Sequence, residues 1–138
     1  MERYGLNLDD LEYLPGEIHR DGDALDVQFR ALFGSPAARS AKGVVYFFLS
    51  QEPVPRVLGE SRVLYIGKTT TTLYKRYFQH AQLLASSRSG KFYQHIVEKF
   101  GVITIGYFRS ATPSADERLL FNRYIAEHLE YPPKSKVG

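Results

Sequence analysis

Residues 43–50 read Gly-Val-Val-Tyr-Phe-Phe-Leu-Ser, and residues 62–67 read Arg-Val-Leu-Tyr-Ile-Gly. Short runs rich in β-branched and aromatic residues predict buried strands. Between the two runs, Pro53, Pro55 and Gly59 predict a long hairpin connection. Strands joined in this way are most simply antiparallel neighbours.

Helical patterns follow these strands. Residues 73–84 carry apolar side chains at helical spacing and come after four threonines, one of which can supply the N-cap. Residues 91–100 predict a second helix ended by Gly101, residues 102–108 a third strand, and residues 114 to about 130 a last helix. The order β-β-α-α-β-α predicts an α+β domain, with helices packed against a small sheet.

The composition excludes several classes of protein. The chain has 138 residues, a length typical of one domain, and no cysteine. It therefore has no disulfide scaffold, thiolate zinc site or cysteine nucleophile. No apolar run approaches the roughly 18 residues of a membrane span, and the N-terminus lacks the features of a secretory signal. We expect a soluble, cytoplasmic protein without a membrane partner.

The charge is divided unevenly along the chain. Residues 1–40 carry eight acids and four arginines, whereas residues 41–138 carry fourteen Lys or Arg and seven Asp or Glu. We interpret residues 1–40 as an acidic N-terminal arm that mediates homo-oligomerisation or covers the site, and residues 41–138 as the core domain. The basic core predicts a polyanionic partner; simple solubility charge is the alternative.

Six side chains could serve phosphodiester cleavage. That reaction needs an activated water, cations that stabilise charge on phosphorus, and help for the leaving oxygen. An acid on the sheet-facing side of a helix also requires a partner or a metal. The candidates are Tyr46 and Tyr65 in the two strands, Lys68 just past the second strand, Arg76 and His80 one helical turn apart, and Glu117 in the first turn of the last helix.

These residues carry a family resemblance. The segment Tyr65-Ile-Gly-Lys-Thr, followed by Arg76 and His80 and preceded by residues 43–46, resembles the GIY-YIG nuclease domain over about residues 43–135. The resemblance implies a three-stranded antiparallel sheet flanked by helices. It also implies hydrolysis of DNA phosphodiester bonds with one divalent metal, Mg²⁺ or Mn²⁺. A stand-alone nuclease of this type would suit a restriction enzyme or a phage or mobile-element nuclease.

The resemblance also implies roles for single residues. Tyr46 matches the first motif tyrosine, a general base or its orienting partner, and Tyr65 matches the second, beside the scissile phosphate. Arg76 matches the arginine that contacts this phosphate, and Glu117 matches the single metal-binding carboxylate. The remaining matches are Lys68 and His80 as basic or hydrogen-bonding site residues, and Gly67 and Thr69 as substrate-binding positions.

The sequence departs from the family pattern at three places. Val45 replaces the isoleucine of the first half-motif, and 19 positions separate Tyr46 from Tyr65, more than is usual in the family. Ser135 stands where the family often has an asparagine.

Each site residue also has a structural alternative. Tyr46 could be a core aromatic, and His80 could be structural or could bind only phosphate. Glu117 could complete a capping box with Ser114, and Asp116 is the nearest alternative metal ligand. The alternative function is a nucleic-acid-binding or interaction module that does not cleave.

Overall fold

The computed structural model describes residues 7–134, which form an α+β fold around a four-stranded antiparallel sheet. The strands are β1 (Glu12–Tyr13), β2 (Lys42–Pro55), β3 (Glu60–Thr72) and β4 (Ile103–Arg109). Their spatial order is β1-β4-β2-β3. The helices are α1 (Leu25–Phe33), α2 (Pro36–Ser40), α3 (Leu73–Tyr77), α4 (Ala81–Ala85), α5 (Ser87–Phe100) and α6 (Pro113–His128). The predicted α+β class is confirmed, but the predicted number of three strands is wrong.

The extra strand comes from the predicted N-terminal arm. Glu12 pairs with Tyr107 and Tyr13 with Gly106, so that β1 extends the sheet beyond β4. A strand of two residues is too short to show an alternating pattern in the sequence.

The rest of the described arm also belongs to the core. Phe29 and Phe33 of α1 are 0% exposed and pack in the same cluster as Phe48 and Tyr77. The described part of residues 1–40 is therefore not a separate arm, because its apolar side chains complete the core of the domain. Its role in oligomerisation stays a prediction.

The β2–β3 hairpin is longer and tighter than predicted. Pairing of β2 with β4 ends at Ser50, so Pro53 and Pro55 lie where β2 pairs only with β3. Proline is tolerated there because one side of the strand is free. The predicted long connection shrinks to a turn in which the Arg56 amide donates to the Gly59 carbonyl at 2.9 Å. Gly59 has a φ of +72°, which favours glycine.

A β-bulge at Leu64 changes the direction of β3 directly before the predicted site residue Tyr65. Tyr65 pairs with Phe48 and Val63 pairs with Leu49, which leaves Leu64 between them without a partner in that register. Leu64 and Tyr65 consequently pack against the same face of the sheet. Such bulges commonly re-aim side chains near functional sites.

The predicted helix over residues 73–84 is interrupted. It divides into α3, a 3₁₀ turn at Phe78–His80, and α4. The predicted threonine cap is confirmed, since the Thr72 hydroxyl accepts a hydrogen bond from the Lys75 amide at 3.1 Å. α5 begins earlier than predicted and ends at the predicted Gly101, which has a φ of +88°.

The sheet separates two apolar cores. One face carries Val44, Tyr46 and Phe48 and packs against α1, α3, α4 and α5. The opposite face carries Val45 and Phe47 and packs against α6. Among the helices of residues 7–134, none is both long and apolar enough to cross a bilayer.

Candidate active site

A cleft of about 800 Å³ lies at the free edge of β3. The consecutive residues Tyr65 and Ile66 belong to the cores on opposite faces of the sheet, and both line the cleft. The cleft therefore reaches both faces. Arg76 and His80 enter it from one side, and Glu117 enters it from α6 on the other.

The first wall of the cleft is built mainly from phenols. We call Tyr65, Tyr77, Tyr93 and Arg76, with Tyr46 packed behind them, the tyrosine wall. The hydroxyl oxygens of Tyr46 and Tyr77 lie 2.6 Å apart and share a hydrogen bond. The guanidinium carbon of Arg76 lies 4.8 Å from the centre of the Tyr77 ring, a cation–π contact. Tyr77 thus links the buried Tyr46 hydroxyl to the wall of the cleft.

Gly67 makes room for Tyr46. The two residues are direct partners across β2 and β3. A Cβ atom at Gly67 would lie 2.5 Å from both the hydroxyl oxygen and the Cζ atom of Tyr46. Any side chain at this position would therefore displace the phenol that bonds to Tyr77. In the structure, the absence of a side chain at Gly67 leaves the space that the Tyr46 ring occupies. The role of Gly67 in substrate binding stays a prediction.

Burial keeps the phenols of Tyr46, Tyr77 and Tyr93 protonated. It raises the pKa of Tyr46 far above its usual value of 10.0, and the neighbouring Tyr77 and Tyr65 raise it further. Burial also raises the pKa of Tyr77 and that of Tyr93. Tyr46, only 1% exposed, is therefore a buried, protonated phenol bonded to Tyr77, and its catalytic role stays a prediction.

Arg76 and His80 reach the cleft despite the break in the predicted helix. Arg76 lies on α3 and His80 on the 3₁₀ turn that follows, and both line the cleft. Burial lowers the pKa of Arg76, but Tyr77, Tyr46 and Tyr65 raise it by more. The guanidinium is thus a permanent cation at this wall.

The second wall is formed by Glu117, Arg118 and Phe121 of α6 and by Tyr131 beyond it; we call these four residues the α6 wall. Glu117 is half-buried. Burial raises the pKa of its carboxyl, and the nearby cations of Lys68 and Arg118 offset only part of this shift. A carboxylate with this raised pKa gains from a bound cation.

The capping-box interpretation of Glu117 is wrong. α6 begins at Pro113, so Ser114 lies inside the helix, and Thr112 at the N-cap makes no side-chain cap. The neighbouring Asp116 accepts a hydrogen bond from the Ser110 hydroxyl at 2.5 Å. The Glu117 carboxylate, in contrast, makes no hydrogen bond or ion pair with any side chain of residues 7–134.

The tip of the β2–β3 hairpin fixes the end of α6. Arg56 forms an ion pair with Glu130 at 2.8 Å and donates to the Tyr131 carbonyl at 2.6 Å. Nδ1 of His128 donates to the Leu58 carbonyl at 2.8 Å. We call these five residues the hairpin lock. Because Tyr131 belongs both to the lock and to the α6 wall, the hairpin tip positions part of the cleft.

The predicted site residues do not all reach the cleft. Tyr65, Arg76, His80 and Glu117 line it together. The other predicted residues have different positions: Tyr46 lies behind Tyr77, Gly67 beneath Tyr46, Lys68 near Glu117 without lining the cleft, and Thr69 is buried. The predicted role of Ser135 falls outside the described residues.

Sequence reasoning missed Tyr77 and Arg118. Tyr77 occupies a position on the apolar stripe of residues 73–84, where its ring packs 4.6 Å from that of Phe33. A tyrosine rather than a leucine on a buried stripe was the available signal, because a buried hydroxyl needs a hydrogen-bond partner. Arg118 follows the predicted acid directly in the sequence, and nothing in the pattern separates it from an ordinary solvated arginine.

The donor set for a metal is small. Within residues 7–134, no group of three or more His, Cys, Asp and Glu side chains is arranged to hold a metal ion. Mg²⁺ commonly retains several waters and binds through one or two carboxylates together with substrate phosphates. The Glu117 carboxylate, the acid that lines the cleft among residues 7–134, fits a Mg²⁺ ion that arrives with such a substrate.

Comparison with known proteins adds no relative. The chain matches no family model, no curated protein and no solved structure.

Proposed function

We propose that this protein is a metal-dependent DNA endonuclease of the GIY-YIG type. The observation that carries the proposal is the convergence of Tyr65, Arg76 and His80 from one side of a single cleft with Glu117 from the other. Phosphodiester hydrolysis needs a phosphate-binding cation, a base and a carboxylate that can hold a metal. The motif spacing in the sequence supports the same chemistry.

Arg76 binds the scissile phosphate in this proposal. Its guanidinium stays charged and can make two parallel hydrogen bonds to phosphate oxygens. The Tyr77 ring beneath it restricts its position. Tyr65 donates a further hydrogen bond from the same wall, while Lys68 and Arg118 add positive charge beside Glu117.

Glu117 would hold the metal together with phosphate oxygens and water. A Mg²⁺ bound there would act as a Lewis acid that stabilises charge on phosphorus and on the leaving oxygen. Because Glu117 offers a metal only one carboxylate, we expect weak metal binding until DNA phosphate oxygens complete the ligand set.

His80 is the general base of the proposal. Imidazole is the side chain used most often for this task, and His80 is exposed within the cleft. Tyr46 then has the orienting role, because its hydroxyl is buried and bonded to Tyr77. Tyr65→Phe and His80→Gln separate the two groups that could serve as the base. If His80 is the base, His80→Gln reduces the nicking rate far more than Tyr65→Phe does.

Nicking of a supercoiled plasmid tests the proposal. We expect cleavage with Mg²⁺ or Mn²⁺ and none with EDTA. Glu117→Gln should reduce the rate by at least about 100-fold, and Arg76→Gln by a comparable factor. Glu98→Gln, which changes an exposed glutamate on α5, is the matched control and should leave the rate unchanged. Plasmid binding without cleavage under any divalent metal would instead support a non-cleaving nucleic-acid-binding module.

A further inference from the structure

A second cationic surface lies on the opposite side of α3 from the cleft. It consists of Arg30 of α1, Arg39 of α2, and Tyr74 and Phe78, which we call the arginine shoulder. The rings of Tyr74 and Phe78 are stacked with centres 4.7 Å apart. The guanidinium of Arg39 lies 4.0 Å from the centre of the Tyr74 ring, and that of Arg30 lies 4.9 Å from the centre of the Phe78 ring.

The shoulder is held in place by the backbone between α1 and α2. A Cβ atom at Gly34 would lie 2.7 Å from the Phe78 ring, so the absence of a side chain there lets the ring pack closely. Nε of Arg39 donates to the Gly34 carbonyl at 3.2 Å. The terminal nitrogens of Arg39 make no hydrogen bond within residues 7–134, and the side chain is exposed.

Acids are scarce in the sequence around these arginines, and Asp26, one helical turn before Arg30, forms no ion pair with it in the described part of the chain. Residues 27–51 and 61–97 together contain nine Lys or Arg and no Asp or Glu. Neither Arg30 nor Arg39 forms an ion pair with a carboxylate in the described part of the chain. Two arginine side chains thus contact aromatic rings through cation–π interactions in a region that favours a polyanion.

We propose that the arginine shoulder binds the phosphate backbone of duplex DNA that extends beyond the cleft. Arg76 and His80 face the cleft from α3 and the turn after it, whereas Tyr74 and Phe78 contact the arginines of α1 and α2. A helix is about 10 Å across, similar to the roughly 12 Å width of the DNA major groove. A duplex whose major groove faces α3, with one phosphate at Arg76, can therefore present phosphates of the opposite groove edge to the shoulder. This inference rests on the proposed function for the position of the duplex.

The arrangement of the rings favours backbone contact over base stacking. Single-strand-binding surfaces leave aromatic faces open for bases. On the shoulder, Arg39 lies over Tyr74 and Arg30 over Phe78, and the two rings also cover each other. The groups offered to a ligand are therefore the N–H donors of guanidinium, which bind phosphate.

Fluorescence anisotropy tests the shoulder directly. The probe is a fluorescein-labelled DNA duplex about three helical turns long, titrated in EDTA at several salt concentrations. The double variant Arg30→Gln/Arg39→Gln should bind at least about tenfold more weakly, and the slope of log K against log salt should fall by nearly 2 for two lost phosphate contacts. Arg20→Gln/Lys99→Gln removes the same charge from exposed positions outside the shoulder and should change the affinity less than about twofold.

A charge-preserving variant excludes a folding defect. Arg30→Lys/Arg39→Lys should recover part of the affinity and the full salt slope, because the charge remains while the stacked guanidinium is lost, and thermal unfolding should show that all variants are folded. Equal loss in the shoulder and control double variants would overturn the inference, as would a loss confined to single-stranded DNA or to duplex RNA. Plasmid nicking is measured in parallel. A selective binding loss without any nicking by the wild-type protein would overturn the proposed activity but leave the shoulder as a DNA contact.

Discussion

The two walls of the cleft are stabilised by different kinds of interaction. The tyrosine wall is held by aromatic packing and one hydrogen bond between buried hydroxyls, close to the side chains that face the cleft. The α6 wall is held at its far end by the polar contacts of the hairpin lock. Substitutions in the tyrosine wall should therefore act on the site directly. Substitutions in the lock should act on it from a distance, through the position of α6.

Gly67→Ala should have the largest effect, because it places a Cβ atom against the ring of Tyr46 in the tyrosine wall. Overpacking of this kind costs about 3 kcal/mol when the neighbour cannot move away. Urea denaturation of the variant measures this loss. In a Tyr46→Leu background, the same change should cost less, since the Tyr46 atoms at 2.5 Å are absent and only the edge of the Tyr65 ring, at 2.7 Å, must still move. Equal costs in both backgrounds would contradict the assigned role of Gly67.

Arg56→Met should weaken the α6 wall by breaking the hairpin lock. The change removes an ion pair to Glu130 and a hydrogen bond to the Tyr131 carbonyl. The expected loss is about 2 kcal/mol, because the arginine is largely buried. Hydrogen exchange should show faster opening at the C-terminal end of α6.

Arg62→Met is the matched control for the lock. Arg62 lies on the same hairpin and donates one hydrogen bond, to the Ser50 carbonyl at 2.8 Å, but within residues 7–134 it has no hydrogen bond or ion pair to α6 or Tyr131. It should lose about 1 kcal/mol and leave exchange in α6 unchanged. Selective opening of α6 in the control would show that the lock does not position this wall.

Tyr77→Phe tests the hydrogen bond between the Tyr46 and Tyr77 hydroxyls. It should lower the free energy of unfolding by less than Arg56→Met does. The Tyr46 hydroxyl would then lose its hydrogen bond to Tyr77 and retain only the neighbouring Arg76 guanidinium, at a cost of about 1 kcal/mol. Tyr46→Phe should cost less, since Tyr77 lines the cleft and water can replace the lost partner. The double variant should cost less than the sum of the two single variants. Strict additivity would contradict a direct hydrogen bond.

The strands were predictable because their signals are local. The apolar runs at residues 43–50 and 62–67 both lie in strands, and Thr72 and Gly101 mark helix ends by their own chemistry. The bulge at Leu64 was not predictable from either run. It arises from the pairing of β3 with β2, which a single strand does not reveal.

The unpredicted features depend on contacts between distant residues. Phe29 and Phe33 sit in an acidic segment, and their burial becomes visible only when α1 packs on the sheet. The bond between Tyr46 and Tyr77 joins residues 31 positions apart. The 3₁₀ turn after Tyr77 leaves the apolar side chains spaced almost as in a continuous α-helix. The apolar periodicity of the sequence therefore could not reveal this turn.

Glu117→Gln should have the smallest effect on stability. Unlike the substitutions in the tyrosine wall, which should destabilise the fold, this substitution in the α6 wall should stabilise it. The pKa of Glu117 is raised in the folded state, chiefly by burial, so folding favours the protonated carboxyl. Above that raised pKa, ionised Glu117 destabilises the fold. The variant should therefore be more stable at neutral pH, by less than about 0.5 kcal/mol because the half-exposed group is screened.

The gain from Glu117→Gln should disappear as the pH falls through the raised folded-state pKa and then the unfolded-state pKa, where the wild-type carboxyl becomes protonated in both states. Thermal unfolding across this pH range measures the difference, with Glu98→Gln as the exposed control. A stability gain that is present at neutral pH and lost at low pH is expected when a carboxylate is retained for chemistry at the expense of stability. A variant that is less stable at neutral pH would instead show that Glu117 supports the fold, as the residues of the tyrosine wall do.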